Sequence, residues 1–274
     1  MLTDDLYKKY VGYVFNKTGL CYELNKKYFV VKRIEDRMAS LGIKDFKEYY
    51  GLIKFSEDQT EFYKLINDLT INETYFFREF PQLQNFAEDI LPLVVKKKQE
   101  EGDYNLRLWS AACSSGEEPY TLAIILSEML ECPQKWNIEI TASDINTEVL
   151  ETAKIGSYEE RSIREVPLEY LSRYFNIRDG KYKINSKISR MVEFKRINLF
   201  DLKKMKSMDN YDFIFCRNAL IYFSNKSREI VVNSFYNSLN RGGFIFLGHS
   251  ESIGRVSSAF RAEKIGGIIV HSKY

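Results

Sequence analysis

A loop of small residues in the middle of the chain carries two adjacent carboxylates. It runs from Ala111 to Glu118, follows a short apolar strand that contains Leu106 and Leu108, and opens an apolar helix. Small residues let backbone N–H groups approach a ligand at the start of a helix. The loop lacks the G-x-G-x-x-G pattern, and Glu117 and Glu118 would repel a pyrophosphate. The pattern favours a ligand with a ribose but no phosphate, and a positively charged ligand fits best.

A third carboxylate stands at the tip of the next predicted strand. Asp144 follows the apolar run Ile138–Ala142. An acid at this position can accept hydrogen bonds from ribose hydroxyls. The alternative is an ordinary helix N-cap, a role for which aspartate is well suited. Together with the acidic loop, Asp144 favours S-adenosylmethionine, which has a ribose and a cationic sulfonium.

Polar residues follow two further predicted strands. Asn198-Leu199 comes after Met191–Arg196, and Arg217-Asn218-Ala219 comes after Tyr211–Cys216. Each asparagine taken alone could be a turn residue. The carboxyl ends of parallel strands meet at one edge of a sheet, where ligands bind in such folds. The order of these clusters along the chain therefore predicts one site.

Strand and helix patterns alternate from Asn105 onward, which predicts a mostly parallel, twisted sheet with helices on both faces. The alternation of strand and helix patterns is interrupted at about 157–191. There, apolar and polar residues alternate around Asp179-Gly180, a strong hairpin signal. We therefore predict a small antiparallel insertion there. The predicted strands are Arg107–Trp109, Ile138–Ala142, Met191–Arg196, Tyr211–Cys216, Gly243–Leu247 and Ile268–His271.

Helical periodicity without strand alternation extends over residues 1–86, which predicts an N-terminal all-α domain. Residues 87–104 are predicted to form a linker helix and a charged connection, and 105–274 the second domain. The predicted apolar stripes are Leu6, Tyr10, Val14 and Phe15; Ile34, Met38 and Leu41; Phe46, Tyr49, Tyr50 and Ile53; and Phe62, Leu65, Ile66 and Leu69.

Composition excludes several classes of protein. The 274 residues carry a net charge of +2. This charge is too small to create a field that would favour binding to nucleic acid or to a membrane surface. Four scattered cysteines and two histidines indicate neither a disulfide framework nor a zinc site. The absence of a signal peptide and of a membrane-length apolar run predicts a cytoplasmic protein. One basic cluster is interpreted as a solvated helix face, and the alternative is a surface that faces an acidic region of a partner: Lys26, Lys27, Lys32, Arg33 and Arg37.

The chain resembles the chemotaxis receptor methyltransferases of the CheR type over nearly its whole length. The motifs that carry the resemblance are Asn72-Glu-Thr-Tyr-Phe-Phe-Arg-Glu79, Ser110-Ala-Ala-Cys-Ser-Ser-Gly-Glu-Glu-Pro-Tyr120, Ala142-Ser-Asp-Ile-Asn-Thr-Glu-Val-Leu150, Phe215-Cys-Arg-Asn-Ala-Leu-Ile-Tyr-Phe223 and Gly248-His-Ser-Glu251. The resemblance implies an N-terminal helical domain followed by a Rossmann-like class I methyltransferase domain that carries a small β-subdomain.

The same resemblance implies a function in chemotactic adaptation. Methyl groups would pass from S-adenosylmethionine to glutamate side chains on the cytoplasmic helices of chemoreceptors, leaving S-adenosylhomocysteine. In some members the β-subdomain docks a short receptor C-terminal peptide, a point that the sequence leaves open. A monomer that binds neither nucleic acid nor the membrane interior is expected.

Site residues follow from the resemblance position by position. Glu118 would pair with the amino group of the methionine moiety, Asp144 would hold the ribose, and the backbone near Asn198 would border the adenine. Cys113 stands where many relatives have alanine or serine. The implied cofactor contacts are Asn72, Thr74, Arg78, Ala111, Glu118, Asp144, Asn198, Leu199, Asn218 and Ala219.

Two residues are expected to act on the substrate. A glutamate carboxylate is already ionised near neutral pH, so catalysis would consist mainly of positioning. Arg78 can grip a carboxylate with its planar fork, and Tyr222 can donate a hydrogen bond to it. The alternatives are a salt bridge between domains for Arg78 and a packed core position for Tyr222.

Rival functions are less well supported by the residues. A second enzyme function is methylation of nucleic acid or of a small molecule. The near-neutral charge and the lack of a base-flipping aromatic-proline signature argue against nucleic acid. A dehydrogenase would need the missing glycine fingerprint. A non-catalytic S-adenosylmethionine-binding scaffold would be expected to have lost part of the set Arg78, Glu118 and Asp144, all of which are present.

Overall fold

The computed structural model describes residues 2–251 and 259–274. Four helices form the N-terminal part, and local capping explains their ends. Thr3 accepts a hydrogen bond from the Leu6 N–H at the start of the first helix, and Gly19 ends that helix with φ 73°. The helices are α1 (Asp4–Thr18), α2 (Lys27–Leu41), α3 (Phe46–Phe55) and α4 (Thr60–Leu69).

The buried faces of these helices match the predicted stripes only in part. All four predicted residues of α4 are buried. In α1 the buried face contains Tyr7 and Thr18, whereas Leu6 and Phe15 are half-buried. Tyr7 is buried although the predicted stripe does not include it, and its hydroxyl donates to the Glu23 carbonyl oxygen.

A long helical stretch then crosses from the helical part onto the sheet. It consists of α5 (Phe80–Asn85), a π-helical turn (Phe86–Ile90) and α6 (Leu91–Glu100). The Phe86 ring meets the rings of Phe213, Phe215 and Phe246 edge-on, at centroid distances of 5.0–5.5 Å. The stretch is therefore part of the packing of the sheet, and the domain limits at 86 and 104 stay a prediction.

In the part of the chain that the structure describes, ten strands form one large and one small sheet. The large sheet has the order β6-β2-β1-β7-β8-β10-β9, in which β10 runs antiparallel to both of its neighbours and the other pairs are parallel. The strands are β1 (Asn105–Ala111), β2 (Asn137–Asp144), β3 (Ser157–Tyr158), β4 (Phe175–Arg178), β5 (Lys181–Ile184), β6 (Val192–Arg196), β7 (Tyr211–Cys216), β8 (Leu239–Leu247), β9 (Arg261–Ile265) and β10 (Ile268–Ser272).

The predicted strands are all present, and each keeps its position within a few residues. The strand β9 was not predicted, and it is an edge strand whose residues are exposed or half-buried. Strands at an edge often carry charged residues and lack a clear apolar face, so their periodicity is weak.

Helices cover both faces of the large sheet, as predicted. Trp109 and Leu108, neighbours on β1, point into different hydrophobic cores. One core also contains residues of α1–α4, and the other contains the buried residues of the stretch 80–100. Among the described helices, none is long and apolar enough to cross a membrane. The remaining helices are α7 (Glu117–Met129), α8 (Thr147–Ile155), α9 (Glu160–Ile163), α10 (Leu168–Tyr174), α11 (Ser186–Ser189), α12 (Leu202–Met205) and α13 (Asn225–Ser238).

The small sheet is the predicted insertion between β2 and β6. Its strands pair antiparallel in the order β3-β5-β4. Asp179 and Gly180 connect β4 to β5 with φ values of 48° and 70°. Two successive positive φ values are the signature of a type I′ hairpin turn, so the prediction of a hairpin at these two residues is confirmed.

Candidate active site

One pocket lies where the carboxyl edge of the large sheet meets the helical part. It holds about 1100 Å³ of empty space, counting the part that is open to solvent. Ala111, a predicted contact, is fully buried beneath it and does not line it, whereas Ala112 does. The pocket is lined by every other predicted site residue: Asn72, Thr74, Arg78, Glu118, Asp144, Asn198, Leu199, Asn218, Ala219 and Tyr222.

Asp144 ends β2 with its carboxylate at the pocket wall. One oxygen accepts the Ser114 N–H and the other accepts the Asn146 N–H, both at 2.9 Å. Burial raises the pKa of this carboxyl, and the backbone N–H groups oppose the rise. The N-cap of α8 is Asn146, whose side chain accepts the N–H groups of Glu148 and Val149. The N-cap interpretation of Asp144 is therefore wrong.

Glu118 lies in the first turn of α7. Its side chain is 14% exposed and accepts hydrogen bonds from Ser110 Oγ at 2.7 Å and from an Arg217 Nη at 3.3 Å. Burial raises the pKa of Glu118, and the Arg217 guanidinium opposes the rise. The carboxylate thus stands at the pocket wall with a single cationic partner among the described residues.

Arg217 is a functional candidate that the sequence analysis left without a role. Its side chain is 3% exposed and lies 3.3 Å from both Glu118 and Glu79. It also donates a hydrogen bond to the Arg78 carbonyl oxygen. Among the described residues its Nε finds no hydrogen-bond partner. The sequence signal that could have found Arg217 is its place directly after β7. A guanidinium that is buried at such a position requires carboxylates around it.

Arg78 and Tyr222 both line the pocket and are half-buried. Arg78 donates to the carbonyl oxygen of Glu73 at 2.8 Å and forms no ion pair with any residue that the structure describes. This argues against the salt-bridge interpretation. Burial raises the pKa of Tyr222, and the charge of Arg78 opposes that rise. The Tyr222 ring packs partly against the core while lining the pocket.

Backbone strain is concentrated around this pocket. Phe77, Ala112, Ser114 and Asn218 line it and have φ values between 50° and 60°. Such conformations cost a non-glycine residue of order 1–3 kcal/mol each and are held by surrounding contacts. One such contact is made by Glu251, whose carboxylate accepts the Asn218 N–H at 2.9 Å. Strain of this kind is typical of functional sites.

The loop after α1 forms a pocket wall that the sequence analysis missed. Its residues Leu20 and Tyr22 line the pocket, together with Thr18 at the end of α1. The Cys21 N–H donates to the Tyr222 carbonyl oxygen at 2.9 Å, and Asn198 Nδ2 donates to the Lys17 carbonyl at 2.7 Å. These contacts join residues about 180 to 200 positions apart, so a local pattern could not reveal them.

The chemistry of this lining fits S-adenosylmethionine. Asp144 and Glu118 offer buried carboxylate oxygens, which suit hydroxyl and ammonium donors. The apolar side chains of Ile145 and Leu199 also face the pocket, as an aromatic base requires. Carboxylates near the cofactor favour a ligand of positive charge over a phosphate-bearing one.

Comparison with known proteins agrees with this geometry. Residues 72–267 match the family model of the CheR methyltransferase SAM-binding domain, and residues 5–70 match that of the CheR all-alpha domain. Chemotaxis protein methyltransferase 2 of Vibrio cholerae is 40% identical and aligns with 96% of this chain and 91% of its own length.

Two further relatives are the chemotaxis protein methyltransferases of Borreliella burgdorferi and Escherichia coli. The first is 34% identical over 92% of this chain and 89% of its own, and the second is 33% identical over 94% and 88%. Both family models and these full-length alignments place the helical part and the sheet in one family. The chain belongs to the CheR methyltransferases and is an S-adenosylmethionine-dependent methyltransferase of chemotaxis.

Proposed function

We propose that this enzyme is a protein-glutamate O-methyltransferase that esterifies glutamate side chains of chemoreceptors in adaptation. The observation that carries the proposal is the guanidinium of Arg78, which lines the cofactor pocket beside Tyr222 and has no carboxylate partner among the described residues. A guanidinium with free donors binds a carboxylate in a fixed, planar geometry. The substrate group would therefore be a carboxylate.

The lining offers little for acid–base catalysis. The described lining residues include neither histidine nor lysine. Burial raises the pKa of the Cys113 thiol well above its ordinary value, so this residue is a poor nucleophile. A glutamate substrate needs no base because its carboxylate is ionised near neutral pH. S-Adenosylmethionine supplies an electrophilic methyl group and leaves as the neutral thioether S-adenosylhomocysteine.

We assign the binding roles to the residues that line the pocket. Asp144 would accept the ribose hydroxyls, and Glu118 would accept the ammonium group of the methionine moiety. Arg78 and Tyr222 would orient the substrate carboxylate, with a reactive separation of roughly 3 Å. The adenine and the rest of the cofactor would contact Asn72, Thr74, Asn198, Leu199, Asn218 and Ala219.

Arg217 would position Arg78 without touching the substrate. Its guanidinium holds the Arg78 carbonyl and the two carboxylates of Glu79 and Glu118. Glu79 has φ 57°, and its carboxylate also accepts from Asn218 Nδ2 at 3.1 Å. These contacts fix the backbone at Arg78 and thereby the direction from which its side chain enters the pocket.

The proposed partner is the helical cytoplasmic domain of a chemoreceptor, which would place the enzyme in the cytoplasm. A receptor C-terminal peptide at the β3-β5-β4 sheet is a further option within the same proposal. The enzyme is proposed to act as a monomer, with neither nucleic acid nor membrane lipid as a partner.

Labelling tests the proposal. The enzyme is incubated with methyl-labelled S-adenosylmethionine and a receptor cytoplasmic fragment, and the product is treated with alkali. A methyl ester hydrolyses in alkali and releases volatile methanol, whereas a methylamine keeps its label. Volatile label from the receptor band, reduced at least about tenfold when Arg78→Ala is used, supports the proposal. Alkali-stable label, or labelling of nucleic acid instead of the receptor, contradicts it.

A further inference from the structure

A second cavity adjoins the cofactor pocket. The two share the segment Asn72–Tyr75 and Arg78 as a common wall. The opposite side of the second cavity is formed by Arg161, Ser162 and Arg164, at and after α9. A protein segment that presents a carboxylate to Arg78 would therefore lie against this second group of residues.

The position of these arginines is fixed by the packing beneath them. The Phe76 N–H donates to the Ser162 carbonyl oxygen at 2.9 Å, and the Phe76 ring meets that of Tyr158 edge-on at 4.9 Å. Phe76 is fully buried. The turn that carries Arg161 and Arg164 is thus attached to the segment that carries Arg78.

Arg164 and Arg78 lie against the same aromatic ring. Their guanidinium carbons are 4.6 Å and 5.8 Å from the Tyr75 ring centroid. The two cations are therefore separated by no more than the sum of these distances. Carboxylates one turn apart on a helix have Cβ atoms roughly 5–6 Å apart, and their side chains can spread further. Two such carboxylates can reach the two guanidinium groups together.

The cations of the second cavity are only weakly neutralised by the protein. Arg164 pairs with Glu165 at 3.7 Å, and Arg161 pairs with Glu159 at 3.7 Å. All four side chains are more than half exposed, and such surface pairs contribute little energy. Exposed pairs of this kind can exchange their partners for a carboxylate of a bound protein.

Two carboxylates also line this cavity. Glu117 is 2% exposed and accepts a hydrogen bond from Ser115 Oγ at 2.7 Å, so it belongs to the interior of the loop. Glu73 is exposed on the wall shared with the cofactor pocket. Glu73 would repel an acidic substrate. Removal of its charge should therefore strengthen substrate binding, whereas removal of the Arg164 charge should weaken it.

We infer that Arg164, assisted by Arg161, binds a second carboxylate of the protein substrate, one helical turn from the glutamate that Arg78 holds. The inference rests on the proposed function, since it assigns the substrate a helical segment with a target carboxylate and a neighbouring one. It makes a negative charge beside the target glutamate a determinant of specificity.

Steady-state methylation of a receptor cytoplasmic fragment tests the inference. The variants are Arg164→Gln, Glu73→Gln and the control Arg190→Gln, an exposed residue that lines neither cavity. Arg164→Gln should raise the KM for the fragment about three- to tenfold at low salt, and less at high salt, with kcat and cofactor affinity unchanged. Glu73→Gln should lower that KM, and Arg190→Gln should leave it unchanged.

A second substrate separates charge recognition from general damage. In this fragment the acidic residues three and four positions from the methylated glutamate are glutamine. On it, Arg164→Gln and wild type should have the same KM. An unchanged KM for Arg164→Gln on the acidic fragment, or an equal rise on both fragments, overturns the inference. If the proposed function itself is wrong, the result differs from both of these outcomes. The wild-type enzyme would then form no alkali-labile ester on either fragment.

Discussion

The carboxylate of Asp144 accepts the backbone N–H of Ser114 at 2.9 Å, which ties the end of β2 to the loop that follows β1. Ser114 has φ 50°, and Asp144 is therefore both a pocket residue and a support for a strained backbone. The same carboxylate can serve the ligand and the loop because each of its oxygens has more than one acceptor direction.

Asp144→Ala should weaken S-adenosylmethionine binding by about 1.5–3 kcal/mol, the range for hydrogen bonds to charged groups. In the proposed binding mode, the variant loses the charged acceptor for the ribose hydroxyls. Calorimetry on the folded variant measures the change. A matched control is Glu151→Ala, an exposed residue of α8 outside the pocket. Unchanged affinity in a folded Asp144→Ala protein would remove Asp144 from the binding site.

As pH falls, cofactor binding should begin to weaken at a higher pH than it would if the carboxyl groups of the site had their ordinary pKa values. Burial raises the pKa of both Asp144 and Glu118, and a cationic ligand requires their ionised forms. The affinity should fall as pH falls through the raised pKa values, before the pH reaches the range in which ordinary carboxyl groups titrate. Calorimetry at a series of pH values measures this, and an affinity that falls only within the ordinary carboxyl range would contradict the prediction.

The stability of the ligand-free protein should respond to pH with the opposite sign. A carboxyl whose pKa is raised by folding binds more protons in the folded state than in the unfolded state. Stability contributed by this group is therefore present at low pH, declines as pH rises from the unfolded to the folded pKa, and is absent above it. Glu251, whose pKa burial also raises, adds to the trend. Denaturation series with and without cofactor measure both slopes.

Replacement of Arg217 by methionine should destabilise the fold. Its side chain is 3% exposed beside Glu79 and Glu118, and removing one partner of a buried ion pair costs about 3–5 kcal/mol. Denaturant unfolding gives the free energy of unfolding. Arg190→Met, at an exposed position, should change it by less than about 0.5 kcal/mol. Equal stability of the two variants would show that the Arg217 network contributes nothing.

Gly116→Ala should destabilise the fold. Gly116 precedes α7 with φ 94°, and a Cβ there would lie 2.8 Å from the Ala153 Cβ and 3.1 Å from the Tyr158 hydroxyl. The expected loss combines about 1–2 kcal/mol of backbone strain with about 1–3 kcal/mol of overpacking. Gly180→Ala is the control, because its φ is 70° but no atom lies within 4 Å of the added Cβ. Thermal unfolding of both variants separates the two contributions, and an equal loss would argue against crowding at Gly116.

The parallel sheet and the pocket edge could be predicted because they depend on local patterns. Apolar strands, the small-residue loop and the Asp179-Gly180 turn each leave a signal within a few residues. The carboxyl ends of parallel strands meet at one edge of a sheet. Asp144 and Asn218, which lie at or after such ends, could therefore be placed at one site from the sequence.

Contacts between distant residues could not be predicted in this way. Arg37 belongs to the predicted solvated cluster, yet it forms two hydrogen bonds with Glu61 at 2.9 and 2.8 Å and is 19% exposed. The interpretation of Arg37 as a solvated residue is wrong because its partner lies on another helix. The wall formed by Leu20 and Tyr22 and the role of Arg217 were hidden for the same reason, since each depends on residues far away in the chain.

Arg78 is proposed to orient the substrate carboxylate through its planar guanidinium fork. The direct measurement is the kcat/KM for alkali-labile methylation of a receptor fragment by wild type, Arg78→Lys and Arg78→Ala, with melting temperatures recorded alongside. Lysine keeps the charge but loses the fork, so both variants should lose at least about tenfold, or roughly 1.4 kcal/mol, at near wild-type melting temperature. Near-normal methylation by either variant would contradict the orienting role, as would a loss of activity that merely follows a collapsed melting temperature.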